Sequence, residues 1–160
     1  MGESGHSMDG QCGCGHTHFQ VHGEPLIRAL CHCTICQQFN HAAYADIVLY
    51  RGRDVDMPAT GQVNFSTWRP PPAVQRGRCA RCDSPAIEFL SLPLMPKMVI
   101  VPVACLPDSA ALPQPSLHMF YHRRTADIDD TLPKYSGYWK SQLGFGRHLI
   151  KHMLSAKHDH

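Results

Sequence analysis

The chain has 160 residues, of which 18% are charged, and a formal net charge of +2 with histidine neutral; that length suits one domain with a real core, and so balanced a charge gives no field that would draw nucleic acid or an acidic membrane surface. The longest apolar run, Met98 to Leu106, is interrupted by Pro102 and is too short to cross a bilayer, and residues 1–10 lack the apolar core of a secretory signal. A cytoplasmic protein is expected, and in a reducing compartment eight cysteines point to metal ligands or catalytic thiols ahead of disulfides.

In chain order, residues 1–9 form a Gly/Ser-rich leader without periodicity, expected to be disordered. Thr17 to Val21 alternates, with Thr17, Phe19 and Val21 on one face, the pattern of a half-buried strand closed by the turn Gly23-Glu24-Pro25. A second strand through Leu26–Leu30 delivers Cys31 and Cys33 to a loop or short helical turn. Further strands are expected over Ala43–Tyr50, Asn64–Trp68, Ala86–Leu90, Lys97–Val101, Val103–Leu106 and Leu117–Tyr121, with an exposed bend at Pro70-Pro71-Pro72 and a proline-rich loop at 107–115. Many short strands with thirteen prolines and twelve glycines read as mainly β with little helix. Only the tail suggests a helix, on which Trp139, Leu143, Ile150, Met153 and Leu154 share a face; it would cover a sheet edge or meet a partner, which leaves a homodimer open.

The chemistry concentrates in three thiol groups: Cys12-Gly13-Cys14, Cys31-His32-Cys33-Thr34-Ile35-Cys36 and Cys79-Ala80-Arg81-Cys82. Zinc takes four ligands in a tetrahedron, and a close pair supplies only two. Joining Cys12 and Cys14 to Cys79 and Cys82 closes one structural site. Cys31, Cys33 and Cys36 are then left one donor short, and an exchangeable fourth position is the mark of a catalytic metal. Other partitions stay open: Cys12 and Cys14 joining central thiols with Cys79/Cys82 as a redox pair, or His32 or His41 closing the second site. Cys105, in an apolar segment, reads as a small buried hydrophobe. His148 and His152 stand four apart without the glutamate of a zinc-protease motif, and read as a solvated helix face.

These groups, with Gly10-Gln11 before the first, Asp83-Ser84-Pro85 after the third, His118 before an apolar pair, and Asp130-Thr131-Leu132-Pro133-Lys134-Tyr135, resemble the glutathione-dependent formaldehyde-activating enzyme (GFA) family, which includes centromere protein V. The resemblance covers residues 10–136, leaving 137–160 as a C-terminal extension. It implies a single zinc-bound β-tent domain with short antiparallel sheets and two zinc ions: Cys12, Cys14, Cys79 and Cys82 as structural ligands, and Cys31, Cys33 and Cys36 as catalytic ones. The activity it implies is that of a carbon–sulfur lyase related to S-(hydroxymethyl)glutathione synthase, acting on a small glutathione-like thiol and formaldehyde or a related carbonyl; from the charge balance and the short apolar runs, no nucleic-acid or membrane partner is expected. A non-catalytic, zinc-stabilised binding module is the rival. The sequence departs from the family pattern at Asp83, where glycine is usual, at Gln37, where a basic residue is common, and at Ala126, near the place of a tryptophan.

Overall fold

A computed structural model describes residues 7–68 and 74–158; the expected bend at Pro70-Pro71-Pro72 lies outside them. The architecture is mainly β, with ten strands and two α-helices. Contacts divide the chain into two compact units, one of residues 1–25 and 48–112, the other of 26–47 and 113–160.

In the first unit, β1 (Ser7–Gln11), β2 (His18–His22) and β5 (Val55–Asp56) form a three-stranded antiparallel sheet. As expected, Thr17, Phe19 and Val21 are buried. The expected leader is corrected from Ser7 onward: Met8 and Gly10 turn inward, and Gly10 lies under the Phe19 ring, where a Cβ would come within 2.2 Å of a ring carbon. Glycine-rich composition here marks close approach of backbone to an aromatic ring, not disorder.

The same unit contains β6 (Val63–Ser66), β7 (Val74–Cys79), β8 (Pro85–Leu90) and β9 (Met98–Pro102), paired antiparallel in the order β9-β8-β7-β6. β7 was not legible as a strand, because Gln75, Arg76 and Arg78 interrupt any apolar alternation and the register shifts between Arg76 and Arg78. Gly77 sits at that irregularity, where a Cβ would meet the Ile87 carbonyl oxygen at 2.3 Å. The expected strand over Val103–Leu106 is instead a 3₁₀ turn, Val103–Cys105, after Pro102, whose missing amide donor ends the ladder. Phe19, Val21, Val48, Tyr50, Ile87, Val99, Val101 and Cys105 belong to one buried cluster.

In the second unit, β3 (Ile27–Cys31) runs parallel to β10 (Leu117–Met119), with Leu30 opposite His118 and Cys31 opposite Met119. α1 (Thr34–Asn40) follows β3 at once. β4 (Ala45–Arg51) crosses from this unit to the other after Ile47. α2 (Tyr138–His158) packs on β10 and β3, and Ser141, Gly144 and Leu149 are its buried residues. Its Gly144 lies against Tyr135, where a Cβ would come within 2.7 Å of the ring. Of the expected helical face, Trp139, Leu143, Ile150 and Leu154 are exposed and Met153 is half-buried, while Leu149 is buried. Among the described residues no helix is long and apolar enough to cross a membrane.

Candidate metal centres

In the first unit, the segment from Cys12 to Cys14 precedes β2 and the turn Cys79–Cys82 joins β7 to β8. The four sulfurs of Cys12, Cys14, Cys79 and Cys82 all lie within 4.8 Å of one another, with Cys12 Sγ to Cys14 Sγ 3.5 Å and Cys14 Sγ to Cys79 Sγ 3.8 Å. Four sulfurs at zinc–thiolate distance from a common tetrahedral centre stand about 3.8 Å apart, so the donor set fits a soft divalent ion. The backbone is shaped for negative sulfur: the Thr17 amide points at Cys12 Sγ (3.3 Å), that of His16 at Cys14 Sγ (3.5 Å) and that of Arg81 at Cys79 Sγ (3.4 Å).

The cluster is electrostatically divided without a cation. Burial opposes ionisation of Cys12, but the Thr17 amide and the neighbouring thiols outweigh it and bring the group down to about 5. The His16 amide favours the Cys14 thiolate, yet desolvation and the sulfurs of Cys82, Cys12 and Cys79 oppose it and push Cys14 up to about 11. The Ser84 hydroxyl and amide lower Cys82 to about 7. Neighbouring thiolates resist one another, and a bound divalent cation is what would let all four ionise.

The turn that carries Cys79 and Cys82 also explains the departure at Asp83. This residue has φ +60°, in the left-handed region where glycine is unstrained and aspartate is one of the few tolerated alternatives. The Asp83 amide donates to the Cys79 carbonyl (2.9 Å), and Arg78 Nη1 donates to the Asp83 carbonyl (2.8 Å).

In the second unit, Cys31 ends β3, Cys33 caps α1 and Cys36 lies in its first turn; their sulfurs also fall within 4.8 Å of one another. The Cys36 amide donates to Cys33 Sγ at 3.2 Å. Hydrogen bonding with Cys33 and Cys36, with burial, raises the Cys31 thiol well above its ordinary value. Among the described residues no histidine or carboxylate joins this group. His41, at the exposed C-terminal end of α1, stands outside it.

His32 is engaged elsewhere. It is 1% exposed and His118 is 0% exposed; His32 Nε2 lies 2.9 Å from His118 Nδ1, and His118 Nε2 lies 2.7 Å from Asp130 Oδ2. Lys134 Nζ reaches the other Asp130 oxygen at 2.5 Å. Tyr44 and Tyr121 flank His32 with ring centroids 5.1 and 5.3 Å away. A carboxylate only accepts, so His118 Nε2 donates to Asp130; with both imidazoles neutral, His118 Nδ1 then accepts from His32 Nε2–H. Burial first, with the Arg124 guanidinium adding to it, holds His32 down to about 4.

Gln37 also has a place here. Its side-chain amide donates to the His32 carbonyl (2.7 Å) and the Arg123 carbonyl (2.8 Å), fixing the thiol loop to the segment after β10. Of the two arginines there, Arg124 is paired with Asp127 and stacked on Tyr121 at 4.4 Å. Arg123 is exposed. Sequence reading named Gln37 and Asp130 only within the family resemblance and missed them as positioning groups, because no local pattern announces the contacts that define them. Cys105 is buried in the first unit's core, as expected, and burial pushes its thiol up to about 12. His148 is half-buried against the Tyr135 hydroxyl (3.3 Å) and His152 meets Ser116 Oγ (3.2 Å), so this pair ties α2 down and is not a plain solvated face. A cavity of about 480 Å³ lined by Arg51, Arg53, Phe89 and Lys97 in the first unit contains none of the cysteines.

The family model described as glutathione-dependent formaldehyde-activating enzyme matches residues 7–123, starting earlier and ending sooner than the 10–136 span of the motif resemblance. A crystal structure of a Rhodobacter sphaeroides protein shares the fold with a TM-score of 0.52 at 19% identity, covering 68% of this chain and 97% of that one. No curated protein matches the chain.

Proposed function

Since the chain belongs to the glutathione-dependent formaldehyde-activating enzyme family, we propose that it is a carbon–sulfur lyase that joins or separates a small glutathione-type thiol and formaldehyde or a related carbonyl. The observation that carries this reading is the three-sulfur group Cys31, Cys33 and Cys36, which among the described residues has no fourth histidine, cysteine or carboxylate donor. We assign zinc to it and a second, structural zinc to Cys12, Cys14, Cys79 and Cys82. A zinc ion held by three thiolates supplies a soft, exchangeable position at which an incoming thiol is stabilised as thiolate.

In the condensing direction the thiol S–H bond breaks, the sulfur electron pair forms the S–C bond as the C=O π bond opens onto oxygen, and that oxygen takes up the proton given by the thiol; the lyase direction reverses each change. The chain's own residues orient this step. Cys31, Cys33 and Cys36 are held convergent by the turn from β3 into α1, with Cys36 N–H donating to Cys33 Sγ. Gln37 and the pair His32/His118 lock that turn. Arg123 stands at the segment fastened to α1 through Gln37, and a guanidinium suits a substrate carboxylate. Tyr44 and Tyr121 give the surroundings of His32 an apolar wall.

Native mass spectrometry that counts bound zinc with and without glutathione, coupled to NMR exchange measurement of glutathione–formaldehyde interconversion, tests the reading. Two zinc ions, a glutathione adduct and accelerated exchange are expected, with Cys33→Ser losing one ion and the acceleration. Two tightly held ions, no thiol adduct and exchange at the uncatalysed rate would instead favour the binding module.

A further inference from the structure

α2 is 21 residues long, about 31 Å at 1.5 Å per residue, and one side of it is used to pack on its own unit. On the opposite side Trp139, Leu143, Ile150 and Leu154 are 74%, 65%, 56% and 54% exposed. Their spacings of four, seven and four residues place them in one row along the helix. Isolated exposed apolar residues need no explanation, but an aligned row of four large ones does. Lys140, Arg147 and Lys151, spaced seven and four apart, form a second exposed row beside the first. Among the described residues none of these three cations is in an ion pair, and residues 138–158 contain no acidic residue at all.

We propose that this face of α2 docks on an anionic phospholipid surface, lying flat with the apolar row inserted at the headgroup boundary and the cationic row against lipid phosphates. The net charge of +2 for the whole chain conceals this, because the acidic residues that offset the cations all lie outside the helix. Charge selects the occupant. A paired second copy would find no carboxylate on the facing helix, and a twofold antiparallel pairing would bring the cationic rows to the same edge, whereas helix pairs normally use opposite charges there. An anionic bilayer supplies both a partner for each cation and a medium for the apolar row. Trp139 and its neighbour Tyr138 are of the type that settles at a membrane interface. The attachment is peripheral, and it is independent of the activity proposed for the thiol group.

The test uses the full chain with Trp68→Phe, leaving Trp139 as the single indole, and vesicles of phosphatidylcholine alone or with about a third phosphatidylserine. Flotation with the anionic vesicles and a blue shift of Trp139 emission are expected, both weakening as salt is raised. Each lysine or arginine near the surface strengthens binding about fivefold, so Lys140→Glu with Lys151→Glu should weaken it by more than twenty-five-fold, and Leu143→Ser with Ile150→Ser should abolish the blue shift. All four positions are exposed, and unchanged zinc content and circular dichroism report that the variants fold. Absence of flotation, equal binding to neutral vesicles, capture by an acidic peptide but not by vesicles, or a dimer in sedimentation that Leu143→Asp dissolves would each overturn the proposal.

Discussion

His32 Nε2 and His118 Nδ1 meet at 2.9 Å although 86 positions separate them in the chain. The contact follows from the parallel pairing of β3 and β10, which sets Leu30 against His118, and from the His32 amide donating to the Met119 carbonyl at 2.9 Å. His32 stands between two of the three clustered thiols, so whatever fixes its ring also fixes the loop that holds Cys31 and Cys33. A group that orients ligands from behind typically changes metal affinity about 10- to 100-fold when removed. His118→Ala should therefore weaken zinc at the three-thiol group by roughly tenfold or more while leaving the four-thiol group loaded. Competition against a chromophoric chelator, with cobalt spectra to identify each site, would measure this; equal weakening at both sites would mean general destabilisation, and no weakening would remove the positioning role.

Asp130 closes the same hydrogen-bonded chain and makes it sensitive to acid. Lys134, then His118, holds its carboxyl down from 3.8 to about 2. The folded state keeps this carboxylate ionised at pH values where the unfolded chain binds a proton, so the stabilisation is complete above the unfolded value of about 4 and disappears as pH falls toward 2. Asp130→Asn should lower the urea midpoint near neutrality, and the gap from the parent should shrink between pH 4 and pH 2. Because Asp130 closes the chain that steadies the three-thiol loop, zinc content is measured at each pH and the gap is compared at matched zinc occupancy. A gap that is the same at every pH would contradict the assignment.

At Asp83 the backbone conformation, not the carboxylate, is the controlling feature. With φ +60°, Asp83→Gly relieves left-handed strain and should keep or raise the thermal midpoint with zinc binding intact, whereas Asp83→Val should cost about 1–2 kcal/mol. Thermal melts of the zinc-loaded variants decide the matter. A large destabilisation by glycine would show that the Arg78–Asp83 side-chain approach, at 3.9 Å, carries more than the backbone does.

What was readable in the chain was the part encoded locally. The alternation of Thr17, Phe19 and Val21 gave a strand face, and the spacing of the cysteines gave both thiol groups, because each depends on neighbours within a few residues. β1 and β7 escaped because their glycines, Gly10 and Gly77, serve close contacts with Phe19 and the Ile87 carbonyl that no local pattern announces. The partners of His32 escaped for a similar reason: a parallel strand pair joins distant segments, so neither His118 nor Asp130 is visible from the motif itself. In α2 the periodicity left two directions open, toward a sheet edge or toward a partner, and the exposure of Trp139, Leu143, Ile150 and Leu154 removes the first for those four residues. Gly144 admits Tyr135 to the packed side, and Trp139 and Leu143 lie outside.

The two thiol groups should also lose metal in sequence, and Cys105 can report when the second is lost. Under the proposed assignment the group of Cys31, Cys33 and Cys36 offers a chelator an exchangeable position, while the four-thiol group does not, so mild chelation should expose the first three cysteines to iodoacetamide. Cys12, Cys14, Cys79 and Cys82 should follow only under stronger chelation. Zinc bound by a closed thiolate site contributes about 10–16 kcal/mol in small peptides, as much as the whole stability of an ordinary domain. Its removal should therefore open the core of the first unit. Cys105 belongs to that core, 3.4 Å from the Pro85 carbonyl at the start of β8, and its thiol is pushed up to about 12 by burial. It should resist alkylation throughout the first step and become labelled together with the four-thiol group. Site-resolved mass spectrometry along a chelator titration would give the order directly, and labelling of Cys105 while Cys12 and Cys79 remain protected would break the link between that metal and the core.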